Sequence, residues 1–310
     1  MSTYLQRRFG ALDLPPGQMQ DEAIRILRVA KETYRPARTF ALVSGGHDST
    51  AMLCVARPFI DAAVHINTGI GVPEATGFVR SLCQSLSVEL IELVTSPSIY
   101  QDIVLGPTKK GFPGPAHHYI TYHRLKAERL QELQRDYSQR GQVILFVTGV
   151  RENESQRRML SIGATEHNGP RRRLGRCAWA NPILHWTSWE MIALRDEYGI
   201  PRSPVADRLH RSGECLCGAF ARPNELEEIA FWYPETAAYI RSLEAEARRL
   251  GKRYSVWGPG GRAVLSPGPL CSDCQLTLTS DAEAEEDKPC PPQASRSPCL
   301  SALTECRWAP

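Results

Sequence analysis

Apolar residues recur along the first half of the chain in two alternating rhythms. Between residues 18 and 34, Ala23, Ile26, Leu27 and Ala30 fall at helical spacing, which predicts a helix leading into the fold. Residues 39–43 are a short apolar run of strand type, broken by Ser44-Gly45-Gly46 and followed by a helix-compatible stretch at 50–55. The unit then repeats: a strand at 62–66, a helix at 73–86, a strand at 88–93, a long helix at 122–139 and an apolar strand at 143–147. Such alternation predicts an α/β fold, a doubly wound parallel sheet with helices on both faces. Residues 106–118, rich in glycine and proline, interrupt the rhythm and read as a loop of functional kind.

Further on, Leu226, Ile229, Ile240 and Leu243 among many charges predict helical material over 225–250, and after Gly258 the periodicity is lost. The expected organisation is a helical lead-in over 1–35, a nucleotide-binding domain over 36–210, a cysteine-containing helical extension over 211–279 and a flexible tail over 280–310.

The strand-to-helix junction Ser44-Gly45-Gly46-His47-Asp48-Ser49 carries the first chemistry. Glycines let the backbone approach a phosphate, and the following helix aims its free amides and the positive end of its dipole at that anion. Ser44 and Ser49 add hydroxyls. Bare phosphate would repel Asp48, so its expected work is to hold Mg²⁺ or to orient the loop by accepting backbone N–H groups.

This loop resembles the SGGxDS signature of the PP-loop ATP pyrophosphatases, in their phosphoadenosine phosphosulfate reductase-like branch. Further segments are similar in the same order: His65-Ile66-Asn67-Thr68-Gly69 with Pro73-Glu74-Ala75-Thr76, the loop from Gly106 to Lys126, Gly149-Val150-Arg151-Glu152-Asn153-Glu154-Ser155-Gln156-Arg157, and Asn181-Pro182-Ile183-Leu184-His185-Trp186. The resemblance implies an adenine nucleotide alpha hydrolase-like sheet holding ATP at the carboxyl ends of its strands. It implies nucleotide contacts from Ser44, Gly45, Gly46, His47, Asp48, Ser49, Thr68, Gly69, Gly149 and Arg157, with Asp48, Lys126, Arg151 and Glu154 as catalytic candidates. Asn67 departs from the family's aspartate, and Ile120 stands where many relatives have cysteine.

Relatives that split ATP to AMP and pyrophosphate keep the full loop signature, as this chain does, whereas those that reduce activated sulfate commonly have a degenerate one. The expected activity is therefore adenylation of an acceptor with ATP and Mg²⁺, in sulfur transfer or nucleic-acid modification. A thiol-dependent sulfonucleotide reductase is the alternative, and a nucleotide-binding module without turnover the third reading. The reductases carry a C-terminal Glu-Cys-Gly-hydrophobic-His segment; here only Glu305-Cys306 matches it, followed by Arg307-Trp308.

Composition changes this picture little. The net charge of +3 over 310 residues is too small to demand a nucleic-acid partner, although Arg157, Arg158, Arg171, Arg172, Arg173 and Arg176 crowd one stretch. No apolar run approaches a membrane span and the N-terminus lacks an apolar signal core, so the cytoplasm is the expected location and no membrane partner is expected. Ten cysteines in a reducing compartment would stay thiols. Cys215, Cys217, Cys271 and Cys274 fall in close pairs of the kind that tetrahedral Zn²⁺ or an iron–sulfur cluster requires, with Cys177 as an alternative ligand. Cys54 and Cys83 lie on helix faces and read as core.

Overall fold

The computed structural model describes residues 16–152, 166–168 and 177–258. After helix α1 (Pro16–Tyr34) come β1 (Arg38–Leu42), α2 (His47–Ala56), β2 (Ala62–Asn67), α3 (Pro73–Ser85), β3 (Leu90–Val94) and α4 (Pro97–Leu105). There follow α5 (His118–Tyr122), a π-helical turn (His123–Ala127), α6 (Glu128–Gln139), β4 (Ile144–Val147), β5 (His167–Asn168) and β6 (Cys177–Ala180). Helices α7 (Ser188–Tyr198), α8 (Pro204–Leu209), α9 (Glu225–Trp232) and α10 (Pro234–Arg249) complete the described chain.

The strands form one sheet in the order β3-β2-β1-β4-β6-β5, parallel throughout except for the β5 and β6 pair. Alternate residues of β1 face opposite layers. Ala41 and Val43 pack with α1, α2 and α7, through Leu27, Leu53 and Leu194, while Phe40 faces Leu130 of α6 and Phe146 of β4. Both faces are covered, so β4 is apolar along its whole length with all its residues buried. Helix α2 is buried nearly all round, Ser49 and Thr50 included, which explains why it shows no polar stripe in the sequence.

A third apolar cluster lies at the carboxyl edge of the sheet. Val205, Leu209, Leu216, Ala219, Ile229, Ile240 and Trp257 of the C-terminal part pack there against Ile70, Val72, Tyr100, Val104 and Leu125.

The expected α/β architecture is present, and four differences have local causes. The helix expected over 122–139 begins earlier, at His118, and is broken into α5, the π-turn and α6. Helix α4 falls where no helix was expected; Pro97 at its first turn and Ser96, whose hydroxyl accepts from Ser98 N, start it. Helix α7 likewise begins at a capping box of Thr187 and Glu190 and stops at Gly199 in the left-handed conformation. Expected helical material over 225–250 is two helices, split at Pro234.

Candidate nucleotide site

Strand order reverses between β1 and β4, and the crevice at the carboxyl ends there is where open α/β sheets bind ligands. The Ser44–Ser49 loop leaves β1 at this point. Gly45 has φ +82°, a left-handed backbone that glycine adopts without strain. The loop is tied mostly to itself: Ser44 N donates to Ser49 Oγ at 3.2 Å, Gly46 N to Ser44 Oγ at 3.3 Å, and Ser49 Oγ to Gly46 O at 3.0 Å. Gly46 caps α2 with no side-chain hydrogen bond, which leaves the first-turn amides of the helix for an anion.

The turn after β4 closes the site from the other side. A Cβ on Gly149 would sit 2.9 Å from the backbone of Asp48 and Ser49, so only glycine permits this approach. Two residues on, buried Arg151 places Nε 2.9 Å from Asp48 Oδ2 and turns Nη1 to Ser188 Oγ and Trp186 O. The Asn181 to Trp186 segment supports that turn: Thr148 Oγ1 donates to Asn181 Oδ1 at 2.5 Å and Glu152 N to Leu184 O at 2.8 Å.

His47, the variable residue of the motif, is held from two helices. Arg195 Nη1 lies 2.7 Å from its Nδ1, and Asp207 Oδ1 3.0 Å from its Nε2. A guanidinium only donates, so Nδ1 accepts and Nε2 carries the proton. Burial, with the neighbouring Arg195 and Arg202 charges, holds His47 below the ordinary histidine range against the opposing pull of Asp207 and Asp48.

Beside this loop lies the cysteine turn, residues 212–218. Four successive carbonyls of the turn each accept from a side chain of a different element: Glu214 O from Thr68 Oγ1 at 2.6 Å, Cys215 O from Arg211 Nη2 at 3.0 Å, Leu216 O from Trp257 Nε1 at 2.8 Å and Cys217 O from Tyr100 OH at 2.9 Å. Lys126, on the π-turn, is hydrogen-bonded to Glu214. The Cys217 thiol bonds to the Cys215 sulfur; this bond, together with Lys126 and Arg211, outweighs burial and draws the Cys215 thiol below the usual range, while Cys217 is pushed well above it. Burial would lower Lys126, but Glu214 and Cys215 outweigh it and the net shift is upward.

The structure thus sorts the expected residues into two groups. Ser44, Gly45, Gly46, His47, Asp48, Ser49, Gly149 and Arg151 converge at the switch point. Lys126 and Thr68 join the cysteine turn instead, because the π-turn and the end of β2 abut it. Gly69 closes the turn after β2, its N–H donating to Asn67 Oδ1, and Asn67 also donates to Glu92. Glu154, Arg157, Cys271, Cys274 and Cys306 lie outside the described residues.

Cys177 does not belong with Cys215: it is the first residue of β6, buried in the Phe40 and Phe146 layer, and burial pushes its thiol up. Cys83 is buried and pushed up to about 11, and half-buried Cys54 also rises by burial. Among the described residues no group of three or more His, Cys, Asp or Glu side chains is arranged to hold a metal ion, and no helix is long and apolar enough to cross a membrane. Arg195, Asp207, Arg211, Tyr100 and Trp257 stand in no motif, and only the fold brings them to the site.

A doubly wound sheet with a glycine loop and a free helix N-terminus at its switch point defines a protein of nucleotide-binding α/β fold. Residues 38–216 match the family model of the phosphoadenosine phosphosulfate reductase domain, and the chain belongs to that family. No curated protein matches the chain. Among solved structures, it is similar to a phosphoadenylyl-sulfate reductase from Candida auris in a phosphate complex, at 16% identity over 67% of this chain and 92% of that one, with a TM-score of 0.43. It is similar also to an NMN synthetase from Francisella tularensis (13% identity, 83% and 100% covered, TM-score 0.38) and an NH3-dependent NAD synthetase from Campylobacter jejuni in complex with nitrate (14%, 77% and 93%, TM-score 0.41).

Proposed function

We propose that the chain binds ATP at the Ser44–Ser49 loop and splits it to AMP and pyrophosphate, adenylating an acceptor of the sulfur-transfer or nucleic-acid-modification class. The observation that carries this reading is the intact loop at the switch point, with Asp48 held by Arg151 across the Gly149 contact. The first-turn amides of α2 face the place where phosphate charge would sit, and a pyrophosphate leaving group needs such fixed donors. Arg151 supplies the nearby cation. The Asp48 carboxylate and the Ser44 and Ser49 hydroxyls of the same loop are oxygen donors of the kind that would hold Mg²⁺, which would neutralise phosphate charge there. Residues 44–49 and Gly149 would cradle the phosphates, and Arg151 would keep Asp48 oriented before nucleotide arrives.

Release of labelled pyrophosphate from ATP, dependent on Mg²⁺ and on candidate acceptors, tests the proposal. Sulfite release from a sulfonucleotide with a dithiol reductant, and no pyrophosphate from ATP, would establish the reductase reading in its place.

A further inference from the structure

The nucleotide site uses neither Cys215 nor Cys217, yet the turn that carries them is held by side chains from several separate elements. Donors from Thr68 after β2, Tyr100 of α4, Arg211 and Trp257 fix the carbonyls of residues 214–217, and Leu216 N donates to Ile70 O at 3.0 Å. Backbone fixed at every residue holds the two cysteines two positions apart in one rigid turn. Cys215 is half-buried, whereas Cys217 is buried. Lys126 and Arg211 bring positive charge to the pair from two sides.

We propose that Cys215 and Cys217 form a sulfur-carrying dithiol, in which Cys215 takes a sulfane sulfur from a persulfide or polysulfide donor and Cys217 resolves it. One thiol alone can hold an acyl or alkyl carbon. A second thiol in contact with the first is useful where the bond made is S–S, because a thiol can then displace it.

In loading, the Cys215 thiolate attacks the terminal sulfur of the donor R–S–SH; the donor's S–S bond breaks, R–S⁻ leaves, and Cys215–S–SH forms with no net oxidation. In discharge, the Cys217 sulfur attacks the inner sulfur of that persulfide. Its proton passes to the departing sulfur, hydrogen sulfide leaves and a Cys215–Cys217 disulfide remains. An external dithiol returns the pair to the reduced state by taking up the disulfide's oxidation. On the adenylation reading, the carried sulfur is the nucleophile for an acceptor activated at the neighbouring loop, but loading itself needs no ATP.

The test exposes the full-length, reduced protein to inorganic tetrasulfide without nucleotide, then alkylates it and locates added sulfur by peptide mass spectrometry, with zinc and iron measured on the same preparation. Wild type should release hydrogen sulfide and acquire the Cys215–Cys217 disulfide. Cys217→Ser should retain one extra sulfur atom on Cys215, and Cys215→Ser should leave Cys217 unmodified. Cys217→Ala serves as a second resolving variant if the serine protein fails to fold. Sulfur found on Cys54, Cys83 or Cys177 as readily as on Cys215 would overturn the proposal. So would hydrogen sulfide release by the Cys217 variants at the wild-type rate, or stoichiometric zinc or iron shielding both thiols. Asp48→Asn should load like wild type, so a failed nucleotide reading and a failed dithiol give different results.

Discussion

The nucleotide loop and the cysteine turn sit side by side at the carboxyl edge of one sheet, and they are built in opposite ways. Residues 44–49 hold their shape through bonds that span five residues or fewer, and the fold adds the Gly149 contact and the side-chain clamps on His47 and Asp48. The turn at 214–217 makes few bonds to itself and is held by donors as distant in sequence as Thr68 and Tyr100. A loop held locally can be recognised as a string of letters. A turn held from afar exists only once the sheet, α4 and the C-terminal helices have assembled, so its chemistry is tied to the stability of the C-terminal packing.

If the local loop is the catalytic region, the largest effect should come from its one carboxylate. Asp48→Asn keeps the volume and removes the charge that faces Arg151. Pyrophosphate release should fall about a hundredfold or more, the scale of losing one preorganised electrostatic group, measured below the melting temperature, which should itself drop because buried Arg151 loses its counter-charge. Unchanged turnover would break the comparison by showing that this loop does no chemistry.

Next in size is Gly149→Ala, which probes the long-range contact that the local loop does need. The added Cβ meets Asp48 backbone at 2.9 Å, and backbone cannot swing aside as a flexible side chain can. Overpacking of this kind costs ~1–3 kcal/mol. Urea denaturation measures the stability loss, and calorimetric titration should show weakened ATP binding in the same variant. A wild-type midpoint would mean that the β4 turn relaxes freely and leaves the loop self-sufficient.

The different construction of the two regions decides what was legible beforehand. The alternation of apolar strands and helices, the Ser44–Ser49 loop and the Arg151 turn are all written in short windows, and they stand where the pattern put them. Thr68 and Lys126 were expected at the nucleotide, yet Thr68 is committed to Glu214 O and Lys126 to the Glu214 carboxylate. Periodicity says which face of an element a residue occupies, but not which distant turn will pack on that face. For the same reason no motif marked Tyr100 or Trp257, although each delivers a buried donor to the cysteine turn. Cys177 could not be told from a ligand until β6 placed it in the apolar layer.

The distant construction of the cysteine turn can itself be tested. Tyr100→Phe keeps the ring in the core and removes only the O–H that Cys217 O accepts. Leaving that carbonyl without its donor should cost ~1–3 kcal/mol, read from the denaturation midpoint. The nucleotide loop shares no bond with Tyr100, so the affinity for ATP should not change. A fall in ATP affinity equal to that of Gly149→Ala would show that the two regions are one mechanical unit.

The smallest expected effect concerns pH and His47, the residue by which α7 and α8 reach the loop. Arg195, Asp207, Arg202 and Asp48 all face it, and burial with the arginine charges sets its folded pKa below the ordinary ~6.5. Above that value neither the folded nor the unfolded chain is protonated at this ring, and its contribution to stability is complete. As the pH falls through ~6.5 the unfolded chain takes up a proton that the folded chain refuses, so the slope of stability against pH is positive in this window. Below the lowered folded value both states are protonated and the loss stops growing. Asp207, whose carboxyl the Arg202 bond and the His47 charge hold below its usual range against burial, acts only at more acid pH and does not confound the test. Denaturation midpoints at about pH 7.5 and about pH 5.5 should therefore differ less in His47→Gln than in wild type. A larger difference in His47→Gln than in wild type would mean that His47 is already charged in the fold, with Asp207 outweighing Arg195. The helix N-terminus would then offer an incoming phosphate a second cation, and the loop would depend on its distant neighbours as much as the cysteine turn does.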